Sequence, residues 1–191
     1  MFKSLFRRAK PSRASAVYAS LVARARHEEF YLKNIVPDTF DGRFELMVMH
    51  LYLVHSRLKD GSEEGRRMSQ EIFDAFIADM DAGLREAGVG DQTVPKRINK
   101  MTRVFYGRTG AYDTIFETNR VTAEELKMAI GRNLYADDDA LRPNKPDERA
   151  NALACYMIGE YRRLKDMSEH DIINQALLFS GVPQLNQSGA E

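Results

Sequence analysis

Apolar residues recur every three or four positions along most of this chain, and polar residues fill the positions between them. This spacing is typical of amphipathic helices, because an α-helix completes one turn in about 3.6 residues. No stretch bounded by turn residues alternates between apolar and polar positions as a half-buried strand does. The pattern therefore predicts an all-α fold, a single compact helical domain of about seven helices.

Capping and breaking residues predict where the helices begin and end. A proline at position 37 separates the first two helices, because the residue before a proline avoids the α conformation. Gly88 is a natural C′ residue, and Thr122 and Ser168 are natural N-caps. The predicted helices cover residues 15–28, 39–59 and 63–87, a stretch from 93 to beyond 110, a short helix after 122, and two helices between the loop at 137–146 and residue 180.

The apolar stripes also predict individual environments. Phe40 begins the stripe of the second helix, and Phe76, at the centre of the third, is expected to be nearly fully buried. Gly107 and Gly110 each cost a helix about 1 kcal/mol relative to alanine, so either the helix kinks there or something packs closely against it. We expect close packing. Cys155 lies on an apolar helix and is expected to be a small core residue.

Composition supports one soluble globular domain. The chain has 191 residues, of which 43% are apolar, and a single cysteine, so it forms no internal disulfide and no cysteine-based zinc site. The densest apolar stretch, Leu46 to Val54, is far shorter than the about 20 residues that span a bilayer, and the N-terminus does not resemble a secretory signal.

We predict a domain over residues 15–180, a basic amphipathic or disordered segment over 1–14, and a disordered tail over 181–191.

The formal net charge of zero hides a basic N-terminus. The first 26 residues contain seven basic side chains and no acidic one, so the rest of the chain is acidic on balance. In a helix, Phe2 and Phe6 would lie on one face and the basic side chains on another, as in helices that lie at an anionic membrane surface. A disordered basic tail is the alternative interpretation. The basic candidates for an anionic surface are Lys3, Arg7, Arg8 and Lys10.

A second basic stripe lies on the fourth long helix. Lys96, Lys100 and Arg103 share one face, which points away from the apolar stripe, and no acidic residue lies between Asp91 and Asp113. A solvated helix face explains this stripe. An anionic partner, either ribosomal RNA or phospholipid, is the alternative.

The sequence contains no catalytic constellation that we recognise. It has no nucleophile elbow, phosphate-binding loop or dinucleotide fingerprint, and His50 and His55 are turned about 140° apart on one helix, unlike the pair of a helical zinc site. We therefore predict a non-enzymatic protein with no metal or cofactor. A haem-handling protein would need an axial ligand, for which His50 and His55 are the candidates.

Several short motifs, in order and at their spacing, resemble the ubiquinol-cytochrome c chaperone family. The resemblance covers roughly residues 40–180. The motifs are His50-Leu51, Arg57-Leu58, Gly88-Val89-Gly90-Asp91, Val94-Pro95-Lys96, Phe105-Tyr106-Gly107-Arg108, Ala111-Tyr112-Asp113 and Arg132-Asn133-Leu134-Tyr135. The N-terminus looks more like that of bacterial members than that of mitochondrial ones.

The resemblance implies an all-helical assembly factor for respiratory complex III that binds newly made cytochrome b. Mitochondrial members act near the ribosome with a small partner protein, and either contact stays open for this chain. We expect a cytoplasmic protein, peripheral at the inner membrane, and no DNA partner. We place the candidate client or partner surface at Arg108, Tyr112, Asp113, Arg132 and Asn133. The alternative is that Arg108 and Asp113 form ion pairs within the scaffold.

Overall fold

The computed structural model describes residues 12–118, 122–135, 148–175 and 177–185. Within these ranges the chain is helical and contains no strand, so the all-α prediction is confirmed. Seven helices have six residues or more, and the eighth, α2, is a single turn. The helices are α1 (Arg13–Ala25), α2 (Glu29–Leu32), α3 (Phe40–Leu58), α4 (Glu63–Glu86), α5 (Val94–Phe116), α6 (Ala123–Leu134), α7 (Glu148–Asp166) and α8 (Glu169–Asn174).

Side-chain caps begin five of these helices. In each, a serine or threonine hydroxyl accepts a hydrogen bond from the backbone N–H three residues later, which satisfies one of the unpaired donors of the first turn. The caps are Ser12, Thr39, Ser62, Thr122 and Ser168. Helix α4 ends as predicted at Gly88, whose φ of 78° favours glycine. The N–H groups of Gly88 and Val89 donate to the carbonyls of Arg85 and Leu84, which forms a Schellman motif.

Helix α3 is the centre of the fold. It contacts α1, α4, α5, α6 and α7, and every residue from Phe44 to Val54 is buried. This stretch of the helix has no exposed polar face, so the carboxylate and the imidazole within it, Glu45 and His50, need partners inside the protein. The prediction for Phe76 is confirmed, because its side chain is fully buried.

Three sequence-based placements are wrong. Phe40, the first residue of α3, has 61% of its surface exposed, because it precedes the buried part of the helix. Gly107 and Gly110 lie on the exposed face of α5, and no atom of a neighbouring element lies within 4 Å of the position that a Cβ would occupy. Helix α5 is continuous through both glycines, so they mark neither close packing nor a break. Cys155 is exposed, because it lies on the outer face of α7.

The packed chain extends beyond the predicted domain boundaries at both ends. Ser12 caps α1 and Ala14 is buried, and at the other end Val182 is buried and Leu185 packs against the core. The predicted loop at 137–146 and the basic candidates of the first ten residues lie outside the described residues. None of the described helices combines the length and apolarity needed to cross a bilayer.

Candidate functional site

Two neighbouring grooves lie side by side on the surface of the described residues. The polar groove encloses about 930 Å³ and lies between the start of α3, α5 and the end of α6. The apolar groove encloses about 510 Å³ and lies between α1, α3 and the end of α4. They meet at four residues that line both, which are Phe40, Phe44, Leu84 and Arg97. Together they form a double groove, and apolar and charged side chains line both parts of it.

The turn before α3 fixes the rim at which the two grooves meet. Thr39 caps the helix through its side chain, and Gly42 follows in the first turn. A Cβ at Gly42 would collide with the carbonyl oxygen of Pro37, so only glycine permits this close approach. The tight turn places Phe40 at the rim with its ring exposed.

A buried ion pair forms part of the wall of the polar groove. The Arg108 guanidinium donates from Nη2 to Oε1 of Glu45 at 2.8 Å and from Nε to Oε2 at 3.0 Å. Glu45 is almost fully buried, whereas Arg108 keeps about a quarter of its side chain in solvent. The hydrogen bond to Glu45 raises the pKa of Arg108 further above its ordinary value. The pair therefore ties α5 to α3 and shapes the groove.

Two further cations line the polar groove. Arg97 and Lys100 project from the first half of α5 and are exposed, and neither has a carboxylate within ion-pair distance among the described residues. Lys96 and Arg103 are exposed on the same helix but do not line either groove. The basic stripe is therefore divided between the groove and the outer surface.

The apolar groove has a floor of aliphatic, methionine and aromatic side chains. Its apolar lining includes Val22, Phe44, Met47, Met80, Leu84 and Val89. The polar groups at its edge satisfy one another: the Tyr18 hydroxyl donates to Asp79 at 2.9 Å, and Arg26 lies 3.8 Å from the same carboxylate. Unbranched thioether side chains adapt readily to different apolar surfaces, so this floor suits an apolar segment of a partner.

The predicted client-binding residues do not form one surface. Asn133 joins Arg108 in the lining of the polar groove, and Arg132 is exposed outside it. Tyr112 lies in the core, where burial raises the pKa of its hydroxyl above the ordinary value. The placement of Tyr112 on an exposed surface is wrong, because its helix face packs against Tyr52.

Asp113 is part of the scaffold contacts between α3 and α5. Its carboxylate accepts a hydrogen bond from the Tyr52 hydroxyl at 3.2 Å and lies 2.7 Å from the Lys59 ammonium. The alternative that Arg108 and Asp113 form ion pairs within the protein therefore describes the observed geometry. Residues that the sequence did not single out for binding, notably Phe40 and Glu45, form the rim and wall of the double groove.

His50 is fully buried and both of its ring nitrogens are occupied. Its Nδ1 lies 2.8 Å from the carbonyl oxygen of Leu46 and therefore donates, so Nε2 accepts from the Tyr156 hydroxyl at 2.9 Å. Burial lowers the pKa of His50 to about 4. A ring held in this way has no free nitrogen for haem iron.

The Nδ1 atom of His55 forms a hydrogen bond with the Ser69 hydroxyl at 2.8 Å. The described residues contain no cluster that suits a metal ion.

Fold and site together define a class, that of all-helical proteins with a surface groove between the helices. Residues 34–179 match the family described as ubiquinol-cytochrome C chaperone. The chain therefore belongs to the ubiquinol-cytochrome C chaperone family, as its sequence motifs indicated.

Curated relatives and a crystal structure agree with this assignment. Ubiquinol-cytochrome-c reductase complex assembly factor 1 of Xenopus laevis is 27% identical over 122 residues, which are 63% of this chain and 59% of that protein. The Homo sapiens protein of the same name is 30% identical over 52% of this chain and 33% of its own length. The match thus spans less than two thirds of the length of each of these relatives. The crystal structure of the Cbp3 homolog from Brucella abortus has 35% identity and a TM-score of 0.77, and the match covers 91% of this chain and 92% of that one.

Proposed function

We propose that this chain is a non-enzymatic assembly chaperone of respiratory complex III that holds an apolar segment of newly made cytochrome b in the double groove. Family membership and the names of the relatives support the complex III role. Cytochrome b is a membrane protein, so its segments need a cover for apolar surface before they reach their final place.

The observation that carries this proposal is the exposed ring of Phe40 above an apolar floor. Among the described residues, the other large apolar side chains with more than half of their surface exposed line neither groove; they are Leu32, Tyr106, Met128 and Leu178. An exposed aromatic ring at the junction of two grooves is suited to packing on a partner, because aromatic residues contribute a large share of interface energy. A segment lying across Phe40 contacts both halves of the site.

Growth and assembly in cells that lack this gene test the proposal. Phe40→Glu places a charge on the rim without entering the core, so we expect a stable protein that fails to restore cytochrome b and assembled complex III. Leu178→Glu is the matched control, because Leu178 is 81% exposed and lies outside both grooves. Full restoration by Phe40→Glu at wild-type protein levels would contradict the proposal.

A second candidate function is attachment to an anionic membrane surface. The observation that favours it is the outward position of Lys96 and Arg103, which lie on one side of α5 outside the grooves. Cosedimentation with vesicles of phosphatidylglycerol and phosphatidylcholine, measured against salt, tests it, because surface attraction of this kind is screened within a Debye length. Binding that does not change with salt or with Lys96→Glu would contradict this role.

A further inference from the structure

Two cations at the junction of the grooves have no partner that the described fold supplies. Arg43 pairs with Asp38 at 2.6 Å, Arg26 lies near Asp79, and Arg108 is bound to Glu45. Arg97 and Lys100 differ from these, since no carboxylate of the described residues lies within 4 Å of either. Arg97 lines both grooves, whereas Lys100 lines the polar one.

Their position on the helix makes these charges costly within the protein alone. Helix α5 has no acidic residue in its first turn, and Arg97 lies near the N-terminus of the helix, where the helix dipole disfavours positive charge. Lys96 and Arg103 add further positive charge on the same helix without a compensating ion pair among the described residues. An anionic group from outside would remove this repulsion.

The acidic residues that face the grooves do not supply this group. Glu45 is already bound to Arg108, and Asp79 accepts from Tyr18. Asp41 lies in the first turn of α3, where the helix N-terminus stabilises its charge, and Glu86 lies at the edge of the apolar groove at the end of α4. The polar groove thus has three basic side chains against two acidic ones.

We propose that the occupant of the double groove is an apolar segment with acidic residues at one end. The apolar residues pack on Phe40, Met47 and Met80, and a carboxylate is bound between Arg97 and Lys100. This inference rests on the proposed function, because it specifies which segments of a client the same site selects. The concave shape of the site favours a peptide segment over a flat membrane surface.

Binding of designed peptides tests the selectivity directly. The probe is a fluorescent peptide of about 16 residues, about 24 Å long as a helix, with a leucine and alanine face and three glutamates at one end. Companion peptides carry three glutamines or three lysines, and each is made with the polar residues at the N-terminal or the C-terminal end. In one of the two orientations we expect the glutamate peptide to bind about tenfold more tightly than the glutamine peptide.

Charge reversal distinguishes a specific pairing from general attraction. Arg97→Glu with Lys100→Glu should abolish the preference for glutamate and reverse it towards lysine. Lys96→Glu with Arg103→Glu changes the net charge equally on the same helix outside the groove, and should keep the preference. Equal affinity for the glutamate and glutamine peptides in both orientations, or equal effects of the two double variants, would overturn the inference.

Assembly of complex III separates this inference from the function on which it rests. If Arg97→Glu with Lys100→Glu restores assembly fully where Phe40→Glu does not, the acidic-segment inference is overturned and the groove function stands. If Phe40→Glu also restores assembly fully, the proposed function itself is contradicted. Loss of assembly with both, and retention with the control Leu178→Glu, is the result that we expect.

Discussion

The guanidinium of Arg108 on α5 is bound through two nitrogens to the carboxylate of Glu45 on α3, and the carboxylate is almost entirely removed from water. These residues lie far apart in the sequence, yet their pairing joins the two helices that form the wall of the polar groove. A buried carboxylate without its counter-charge is strongly destabilising, so the pair has a structural role whatever the groove binds.

Removing the guanidinium should therefore destabilise the protein. We expect Arg108→Ala to lower the free energy of unfolding by about 3 kcal/mol, because Glu45 would remain buried without a partner. Urea denaturation followed by circular dichroism measures this change. Arg103→Ala removes an exposed arginine from the same helix, and should change the free energy by less than about 0.5 kcal/mol. Equal, small effects of both substitutions would show that Glu45 does not depend on this contact.

Burial of His50 predicts how stability depends on pH. Its pKa is lowered to about 4 in the folded protein, whereas an unfolded histidine has a pKa near 6.5. Between these values the unfolded state binds more protons, so stability is complete above pH 6.5 and falls as the pH is lowered towards 4. Between pH 7 and 5, this residue should account for a loss of about 2 kcal/mol.

Denaturation curves of His50→Gln at the two pH values test this linkage. The variant should lose about 2 kcal/mol less than the wild type between pH 7 and 5, whatever its absolute stability. His170→Gln, at an exposed histidine, is the control for removing an imidazole. If wild type and His50→Gln lose the same free energy, the ring is not held neutral by burial.

Two phenylalanines should differ in how much they contribute to the stability of the fold. Phe76 is fully buried, so Phe76→Ala should cost about 3–5 kcal/mol through the loss of packing and the cavity that remains. Phe40 is mostly exposed, so Phe40→Ala should cost less than about 0.5 kcal/mol. Melting temperatures of the two variants decide this comparison. A large loss of stability in Phe40→Ala would mean that its ring is part of the core.

The first ten residues remain a sequence prediction for membrane attachment. Deleting residues 1–10 should reduce flotation with anionic liposomes and leave the melting temperature unchanged, because Lys3, Arg7, Arg8 and Lys10 would no longer attract the surface. Phe2→Ser with Phe6→Ser keeps these charges and tests the contribution of the apolar face. Equal flotation of the full-length and shortened proteins would contradict the prediction.

Helix positions were predictable from the sequence because their signals are local. The caps at Thr122 and Ser168 and the glycine at 88 depend on residues within one turn, and the structure confirms all three. The glycines at 107 and 110 were misinterpreted for the same reason. The stability that these glycines cost the helix follows from the sequence alone. The empty space beside them depends on how other helices pack, which the local sequence does not determine.

The double groove was not predictable, because six helices contribute to it. Periodicity places Phe40 on an apolar stripe, but it does not reveal that the neighbouring helices leave this end of α3 uncovered. Periodicity likewise gives no pairing between Glu45 and Arg108, which lie on different helices. Motif resemblance identified the family and gave no geometry, so it did not distinguish the exposed Arg132 from Tyr112, which lies in the core.

The most direct test of the central claim is photo-crosslinking in cells. A photoreactive phenylalanine analogue replaces Phe40, and the captured protein is identified by mass spectrometry. Our account predicts that cytochrome b is crosslinked from position 40 and not from position 178, where an exposed apolar side chain lies outside both grooves. Absence of cytochrome b from the products at position 40, or equal crosslinking from both positions, would contradict the claim that the double groove holds the client.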